Sequence, residues 1–127
     1  MVTIFTSPGN ASCRKAKKWF QENDIPFVER NIVDDPLTLR EIIGILRMTD
    51  NGTEDIISTR SKLFQMNRNV INQLSLKDMI SFIKNNPSIF KSPIIHDEKR
   101  LLVGYNGSQI RRFLPRSVRS LQLHEYQ

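Results

Sequence analysis

Short apolar runs stand near both ends of the chain, and longer periodic runs lie between them. Residues 2–6 form a β-branched and aromatic run, and residues 25–32 form a second one. Between these two, Ala16, Trp19 and Phe20 recur at helical spacing. The pattern predicts a strand, a helix and a second strand, and a connection of this kind places the two strands parallel in one sheet.

The middle of the chain has helical periodicity from Pro36 to Pro87. Two apolar stripes recur at the spacing of one helix face: Leu39, Ile42, Ile43 and Leu46, then Leu76, Met79, Ile80 and Ile83. The polar segment 50–53 lies between them and contains Gly52, which can adopt positive φ. We therefore expect a helical region interrupted by a turn at Gly52.

Strand chemistry returns after the helical region. Residues 93–96 and 100–103 are apolar runs separated by a polar turn at 97–99, which is the pattern of a β-hairpin. A last helix is expected over 108–114, because Pro115 follows and cannot continue it. Strands at both ends with helices between them indicate an α/β domain built on a small mixed sheet.

The expected organisation is one thioredoxin-like domain over residues 1–115. Its sheet-containing part covers 1–34 and 88–115, and a helical insertion covers 35–87. Residues 116–127 are read as a polar C-terminal tail.

Nineteen Lys and Arg residues against thirteen Asp and Glu give the chain a formal charge of +6. This balance favours acidic partners such as nucleic acid or an acidic protein surface, although a solvated basic face explains it equally well. No apolar run reaches the roughly 20 residues needed to span a bilayer, and the N-terminus lacks the pattern of a secretory signal. We expect a cytoplasmic protein.

The chain has a single cysteine, Cys13, and two histidines, His96 and His124. An intramolecular disulfide and a Cys-rich zinc site are therefore excluded, and no metal-ligand spacing is recognisable. Asn10 stands where a redox-active pair would need its second thiol, one helical turn from Cys13. We expect no cofactor and no dithiol switch.

Cys13 follows the first strand and loop, at the start of a helix that Asn10 or Ser12 can cap. Helix N-terminal N–H groups, with Arg14 and Lys15 nearby, favour an anion, so the position predicts a reactive thiolate. The alternative is a small buried hydrophobic side chain. A reactive Cys13 could form a sulfenic acid, a mixed disulfide or a bond between two chains.

Several segments in register resemble the Spx branch of the arsenate reductase-like family. They are Thr6-Ser7-Pro8, Ser12–Ala16, Ile25–Ile32, Ile45–Thr49, Ile56–Lys62, Asp97–Leu101 and Ile110–Arg116. The resemblance covers most of the chain. It implies a regulator of transcription, acting in stress responses, that binds the C-terminal domain of the RNA polymerase α subunit.

The same resemblance assigns sites. It places Gly52, Arg47 and Asn51 on the surface that docks on the α subunit. It places Arg60 and Lys62 where the family shapes that interface or contacts promoter DNA within the polymerase complex.

By the same likeness, the Ser92-Pro93 bond is expected to be cis and to face the cysteine loop. The family's Clp protease and its adaptor are further possible partners.

Three departures from the family pattern limit what the resemblance carries over. Asn10 replaces the first cysteine of a Cys-x-x-Cys motif, and Ser92 stands where an arginine is usual. The end of the chain, residues 123–127, is unlike the apolar ends that the family presents to its protease, which puts regulated turnover in doubt.

The runner-up interpretation is a thiol-dependent arsenate reductase in which Cys13 attacks the oxyanion. Such a site needs converging arginines, and Arg60 could be one. Ser92 and Tyr105 occupy the other expected positions. A thiol exchanger of the thioredoxin kind lacks its resolving cysteine.

Overall fold

A computed structural model describes residues 1–115. Four strands form one mixed sheet in the order β2-β1-β3-β4: β1 (Val2–Thr6), β2 (Phe27–Asn31), β3 (Ile94–His96) and β4 (Leu101–Val103). Strand β1 is parallel to β2 and antiparallel to β3, and β3 and β4 form an antiparallel pair. The predicted strand–helix–strand unit and the predicted hairpin are both confirmed.

Five α-helices connect these strands: α1 (Ala11–Glu22), α2 (Leu39–Leu46), α3 (Lys62–Met66), α4 (Arg68–Ile71) and α5 (Leu76–Asn85). Short 3₁₀ turns lie at Gly52–Asp55, Pro87–Ile89 and Gln109–Phe113. Helix α1 joins the two parallel strands, and α2 to α5 lie between β2 and β3 in sequence. The helices of the middle segment are therefore an insertion between the two halves of the sheet.

Side chains alternate between the two faces of the sheet, as strand geometry requires. Val2 and Ile4 of β1 point to the face where Ile95 of β3 lies. Phe5 and Ile94 point to the opposite face. Both faces are therefore covered, and the domain has two hydrophobic clusters with the sheet between them.

Helix α1 and the last 3₁₀ turn cover the first face. Phe20 is fully buried there, and its ring lies 5.0 Å from Trp19, 5.8 Å from Phe27 and 5.6 Å from Phe113. The helical insertion covers the second face with a larger cluster, which includes Ile42, Ile45, Ile56, Ile57, Ile71, Ile83 and Ile89.

Arg30 of β2 ties the sheet to the start of the helical insertion. Its guanidinium binds the Glu41 carboxylate, donates to the carbonyl oxygens of Asp35 and Pro36 at 3.1 and 2.6 Å, and lies over the Phe5 ring, 5.7 Å from its centroid. The Arg30 side chain is only 20% exposed. Glu41 also accepts the backbone N–H of Thr38, which completes a capping box at the start of α2.

Two predicted apolar stripes are only partly buried. Leu39 is 44% exposed and Leu76 is 67% exposed, whereas Ile42, Ile45 and Ile83 form the buried face. Leu46, Met79 and Ile80 also pack against the core, so the two predicted stripes are confirmed in part, and the first leucine of each lies at the surface.

The final predicted helix is a 3₁₀ turn over Gln109–Phe113, closed by the bond from the Leu114 N–H to the Arg111 carbonyl. Five residues before a proline leave little room for an α-helix. The predicted polar tail, residues 116–127, lies outside the described residues.

Candidate functional site

The loop after β1 and the first turn of α1 place Cys13. Asn10 is the N-cap residue, and its side-chain oxygen accepts the backbone N–H of Cys13 at 3.0 Å. The predicted capping by Asn10 is therefore confirmed. This hydrogen bond uses one of the helix N-terminal N–H groups, which could otherwise stabilise an anion.

Cys13 is buried, with 3% of its surface exposed. It borders a small polar cavity of about 210 Å³ that is also lined by Ser7, Arg14, Lys17 and Glu29. Burial raises the pKa of the Cys13 thiol above its ordinary value. Hydrogen bonds from Ser7 and the charge of Lys17 lower it, and the Glu29 carboxylate raises it, without reversing the effect of burial.

The predicted low-pKa thiolate at Cys13 is therefore wrong. The helix terminus does favour an anion, but the thiol is buried. Desolvation of the thiolate raises its free energy by more than these neighbours lower it. The alternative interpretation, a buried apolar side chain, describes this cysteine better.

Alkylation of the folded protein checks this directly. We expect the rate of iodoacetamide reaction with Cys13 to stay low at neutral pH and to rise only above the pKa of a free thiol. The same protein unfolded in guanidinium serves as the control, because its cysteine is solvated. An inflection below that of the unfolded control would contradict the assignment.

The Ser92-Pro93 peptide bond is cis, as the resemblance predicts. Phe5 pairs with Ile94 in the β1–β3 ladder, so the same register places Pro93 beside Thr6 at the end of β1. The cysteine loop begins directly after Thr6. Pro93 is buried and Ser92 is partly exposed.

The turn that contains Gly52 is held by side-chain hydrogen bonds from both sides. The Asp55 carboxylate accepts the backbone N–H groups of Asp50 and Asn51 at 3.1 and 3.0 Å, and the Asn51 side-chain amide at 3.3 Å. The Thr49 hydroxyl donates to the carbonyl of Leu46 at 2.6 Å and accepts the N–H of Gly52 at 3.0 Å. The turn is thereby fixed to the end of α2.

These contacts lower the pKa of Asp55, chiefly through the N–H of Asn51 and then through the Asn51 side chain and the N–H of Asp50. The carboxylate is therefore ionised at neutral pH and keeps accepting all three bonds. Sequence reasoning did not single out Asp55 or Thr49. The signal that could have found them is the spacing, since an aspartate four residues after Asn51 and a threonine three residues before Gly52 can reach those N–H groups.

Gly52 itself has a φ of +70°, and an added Cβ would meet no atom within 4 Å. The predicted positive φ is confirmed. Arg47, the C-cap residue of α2, and Asn51 are both exposed. The turn therefore presents an open stretch of backbone flanked by a basic and an amide side chain.

Arg60 and Lys62 follow the Gly52–Asp55 turn by five and seven residues. They lie on either side of Ser61, the N-cap residue of α3. Both are exposed, and neither forms an ion pair within residues 1–115. The segment before them is anchored to the sheet, because Ile57 forms a β-bridge with Phe90 and Ser58 donates to the carbonyl of Ile89 at 2.8 Å.

The cysteine cavity lies near the β2 edge of the sheet, and the Gly52 turn lies near the β4 edge. The cavity is lined by residues of β1 and β2 and of the loop between β1 and α1. Thr49, Asp50 and Asp55 of the turn line a different cleft, together with β4 residues. Strands β1 and β4 are separated by β3, about 10 Å at the usual strand spacing. The structure does not bring the two predicted sites together.

Within residues 1–115 no group of three or more His, Cys, Asp or Glu side chains could hold a metal ion. None of the helices in these residues has the length and apolar character needed to cross a membrane.

The sequence model of the ArsC family matches residues 5–113. All 127 residues align at 58% identity with the curated proteins "Global transcriptional regulator Spx 1" of Oceanobacillus iheyensis and "Global transcriptional regulator Spx" of Staphylococcus aureus, covering 97% of each relative.

Solved structures with the same fold include a putative ArsC family related protein from Bacteroides fragilis. It has a TM-score of 0.79 and 23% identity over 87% of this chain and 95% of that one. A possible arsenate reductase from Streptococcus mutans has a TM-score of 0.73 and 19% identity over 84% and 92%. At this identity the structures support the fold, and the predicted thioredoxin-like α/β class is confirmed.

Proposed function

The chain belongs to the ArsC family and, within it, to the Spx global transcriptional regulators, and from this premise we propose that it binds the C-terminal domain of the RNA polymerase α subunit. The observation that carries the proposal is 58% identity over the whole chain with proteins named as transcriptional regulators. We further propose that it acts in the cytoplasm during stress.

The Gly52 turn is the docking surface in this proposal. A glycine lets a partner's backbone approach closely, and Gly52, at φ +70° with open space around it, provides such a place. The bonds from Asp55 and Thr49 hold the turn before any partner arrives, so little ordering entropy is lost on docking. Arg47 and Asn51 supply polar contacts beside it.

Asp55→Ala is expected to weaken binding of the α C-terminal domain about tenfold, because the loosened turn must be ordered on docking. Asp55 is on the surface side of the turn, so the melting temperature should change little. Binding can be measured by isothermal titration calorimetry. Glu54→Ala is the matched control, since Glu54 is exposed on the same turn and accepts none of these bonds. Equal losses of affinity in the two variants would mean that Asp55 does not hold the docking surface.

Arg60 and Lys62 are proposed to contact promoter DNA only within the polymerase complex. Their exposure and the absence of an ion pair with any other described residue leave their charge available for phosphates. The formal charge of +6 also favours contact with DNA phosphates.

Lys62→Glu is expected to reduce the salt dependence of promoter binding by the complex, with a loss of about one unit in the slope of log K against log salt. The measurement is a titration of labelled promoter DNA at several salt concentrations. Lys15→Glu is the control of equal charge change, because Lys15 is an exposed residue of α1. An unchanged slope with Lys62→Glu would place the residue away from DNA.

Control by an intramolecular disulfide is not part of the proposal. Asn10 supplies a cap where a second thiol would be needed, and Cys13 is buried with a raised pKa. Co-purification with a tagged α C-terminal domain tests this, since wild type and Cys13→Ala should be retained equally, before and after peroxide treatment. Loss of retention after treatment of wild type alone would contradict it.

An arsenate reductase activity is the alternative function, because family members of the same fold include possible arsenate reductases. Among the described residues, Arg14 is the only arginine that lines the cysteine cavity, and a buried thiol of raised pKa is a poor nucleophile. We therefore propose that the protein is not an enzyme. Turnover of arsenate in the presence of glutathione and glutaredoxin would overturn that proposal. The Clp protease and its adaptor stay possible partners by resemblance only, and the residues on which that prediction bears, 123–127, lie outside the described residues.

A further inference from the structure

Helices α2 and α5 carry the same pattern of apolar and charged residues. Each has a leucine followed by a basic residue, an isoleucine four positions after the leucine, and a second basic residue four positions later. The two segments are Leu39–Arg47 and Leu76–Lys84. Because residues four apart share one face of a helix, each helix presents an apolar pair that continues into a positive charge.

The two apolar pairs face each other across a cleft. Leu39, Ile43, Leu76 and Ile80 line it, with Lys77 and Ser81 completing the wall, and its volume is about 330 Å³. Leu39 is 44% and Leu76 is 67% exposed. Because both leucines remain accessible to solvent, the cleft is an open apolar groove on the surface of the helical insertion.

Among the described residues that line this groove, Lys77 is the one charged side chain. Lys77 and, on the same two helices, Arg40 and Lys84 are exposed, and none of the three forms an ion pair with a described residue. The acidic residues of the same helices do not balance them.

Glu41 is bound by Arg30, and Asp78 lies about 160° around α5 from Ile80 at 100° per residue. The groove therefore has an apolar floor with basic side chains along its edges.

We propose that this groove binds an amphipathic helix of a partner protein, one that carries acidic residues beside its apolar stripe. An apolar face fits the floor, and carboxylates fit the basic edges. A second copy of this chain fits poorly, because two such faces would bring like charges together on a protein of charge +6. The groove is distinct from the proposed polymerase docking surface, since its lining includes none of Arg47, Asn51 and Gly52.

A designed helical peptide tests the proposal. The probe is a fluorescein-labelled peptide of about 18 residues, long enough to be helical, with Leu at one-face spacing and Glu on both flanks. Its binding to the full-length protein is followed by fluorescence anisotropy. A matched peptide with Lys in place of every Glu is expected to bind at least about tenfold more weakly.

Variants of the groove locate the binding. Leu76→Glu should weaken the acidic peptide about tenfold or more, and the double change Lys77→Glu with Lys84→Glu should weaken it several-fold and reduce its salt dependence. Met66→Glu, at an exposed apolar residue of α3 outside the groove, should leave binding unchanged. Gly52→Arg should also leave it unchanged, which separates this site from polymerase docking.

Four results would overturn the proposal. They are failure of wild type to bind the acidic peptide, equal binding of the lysine peptide, unchanged binding by Leu76→Glu, and equal loss in Gly52→Arg. Sedimentation that reveals a dimer broken by Leu76→Glu would assign the groove to a second copy. Competition by a synthetic peptide of residues 116–127 would assign it to the chain itself. Either finding would also contradict an acidic partner.

Discussion

Gly52→Arg is expected to lower the affinity for the α C-terminal domain by about a hundredfold or more, equivalent to roughly 2.7 kcal/mol. The arginine side chain would project from a point where no atom now lies within 4 Å of a Cβ. A partner that packs on that open backbone would then have to move or leave a gap. Loss of this size is typical when a central contact of an interface is blocked. Isothermal titration calorimetry measures it.

Gly52→Ala separates the clash from local strain. Both variants force a side chain into a φ of +70°, which costs about 1–3 kcal/mol of backbone strain, but alanine adds almost no bulk. We expect alanine to bind within a few-fold of wild type, with both variants melting at the same lowered temperature. Equal loss of binding in the two variants would indicate a collapsed turn, and full binding by Gly52→Arg would remove the turn from the interface.

Arg30→Ala is expected to destabilise the fold by about 2–3 kcal/mol, because it leaves the Glu41 carboxylate and two carbonyl groups without their charged donor. Contact with the Phe5 ring is also lost. Urea unfolding measures the change. Lys17→Ala is the control, since it removes the more exposed ion pair with Glu29 and should cost under about 1 kcal/mol. Similar losses in both would mean that Arg30 is an ordinary surface residue.

The pH dependence of urea unfolding tests whether Glu41 is the partner through which Arg30 stabilises the fold. Partial burial would raise the pKa of Glu41, but bonds from Thr38 and Arg30 outweigh it and leave the pKa below its ordinary value. A depressed folded-state pKa contributes stability above the ordinary value near 4.5, and this contribution is lost as pH falls through the folded value. Arg30→Ala should therefore lose less stability on acidification than wild type. A parallel loss in both would exclude the Arg30–Glu41 pair as the cause.

Much of the fold could be predicted because its signals are local. The β-branched run at residues 2–6, the cap at Asn10 and the hairpin around residues 97–99 each depend on neighbours within a few positions. Positive φ at Gly52 has the same origin, since a glycine in a polar turn is the residue that adopts it at least cost.

What failed depends on long-range packing. Helical spacing identifies an apolar stripe but not which of its residues reach the core, and the predicted stripes include Leu39 and Leu76, which are exposed. The Cys13 pKa failed for a related reason. Sequence places the thiol at a helix terminus, whereas only the folded chain determines how much water reaches it.

The two sites suggest how the regulator can work without a dithiol. In this account the Gly52 turn acts as a preformed docking surface, held by Asp55 and Thr49, on the far side of the sheet from Cys13. Cys13 does not line the same cleft as that turn, so oxidation of its thiol would not move the turn by direct contact. We therefore expect the amount of protein, more than the redox state of Cys13, to determine how much polymerase is bound.

The central claim is that the α C-terminal domain docks on the Gly52 turn and not on the cysteine loop. The most direct measurement is a titration of the ¹⁵N-labelled, reduced protein with the unlabelled domain, followed by amide chemical shifts. We expect the shift changes to concentrate in residues 47–55 and to leave residues 7–13 unaffected, in wild type and in Cys13→Ala alike. Shifts centred on residues 7–13, or no shifts at saturating domain, would contradict it.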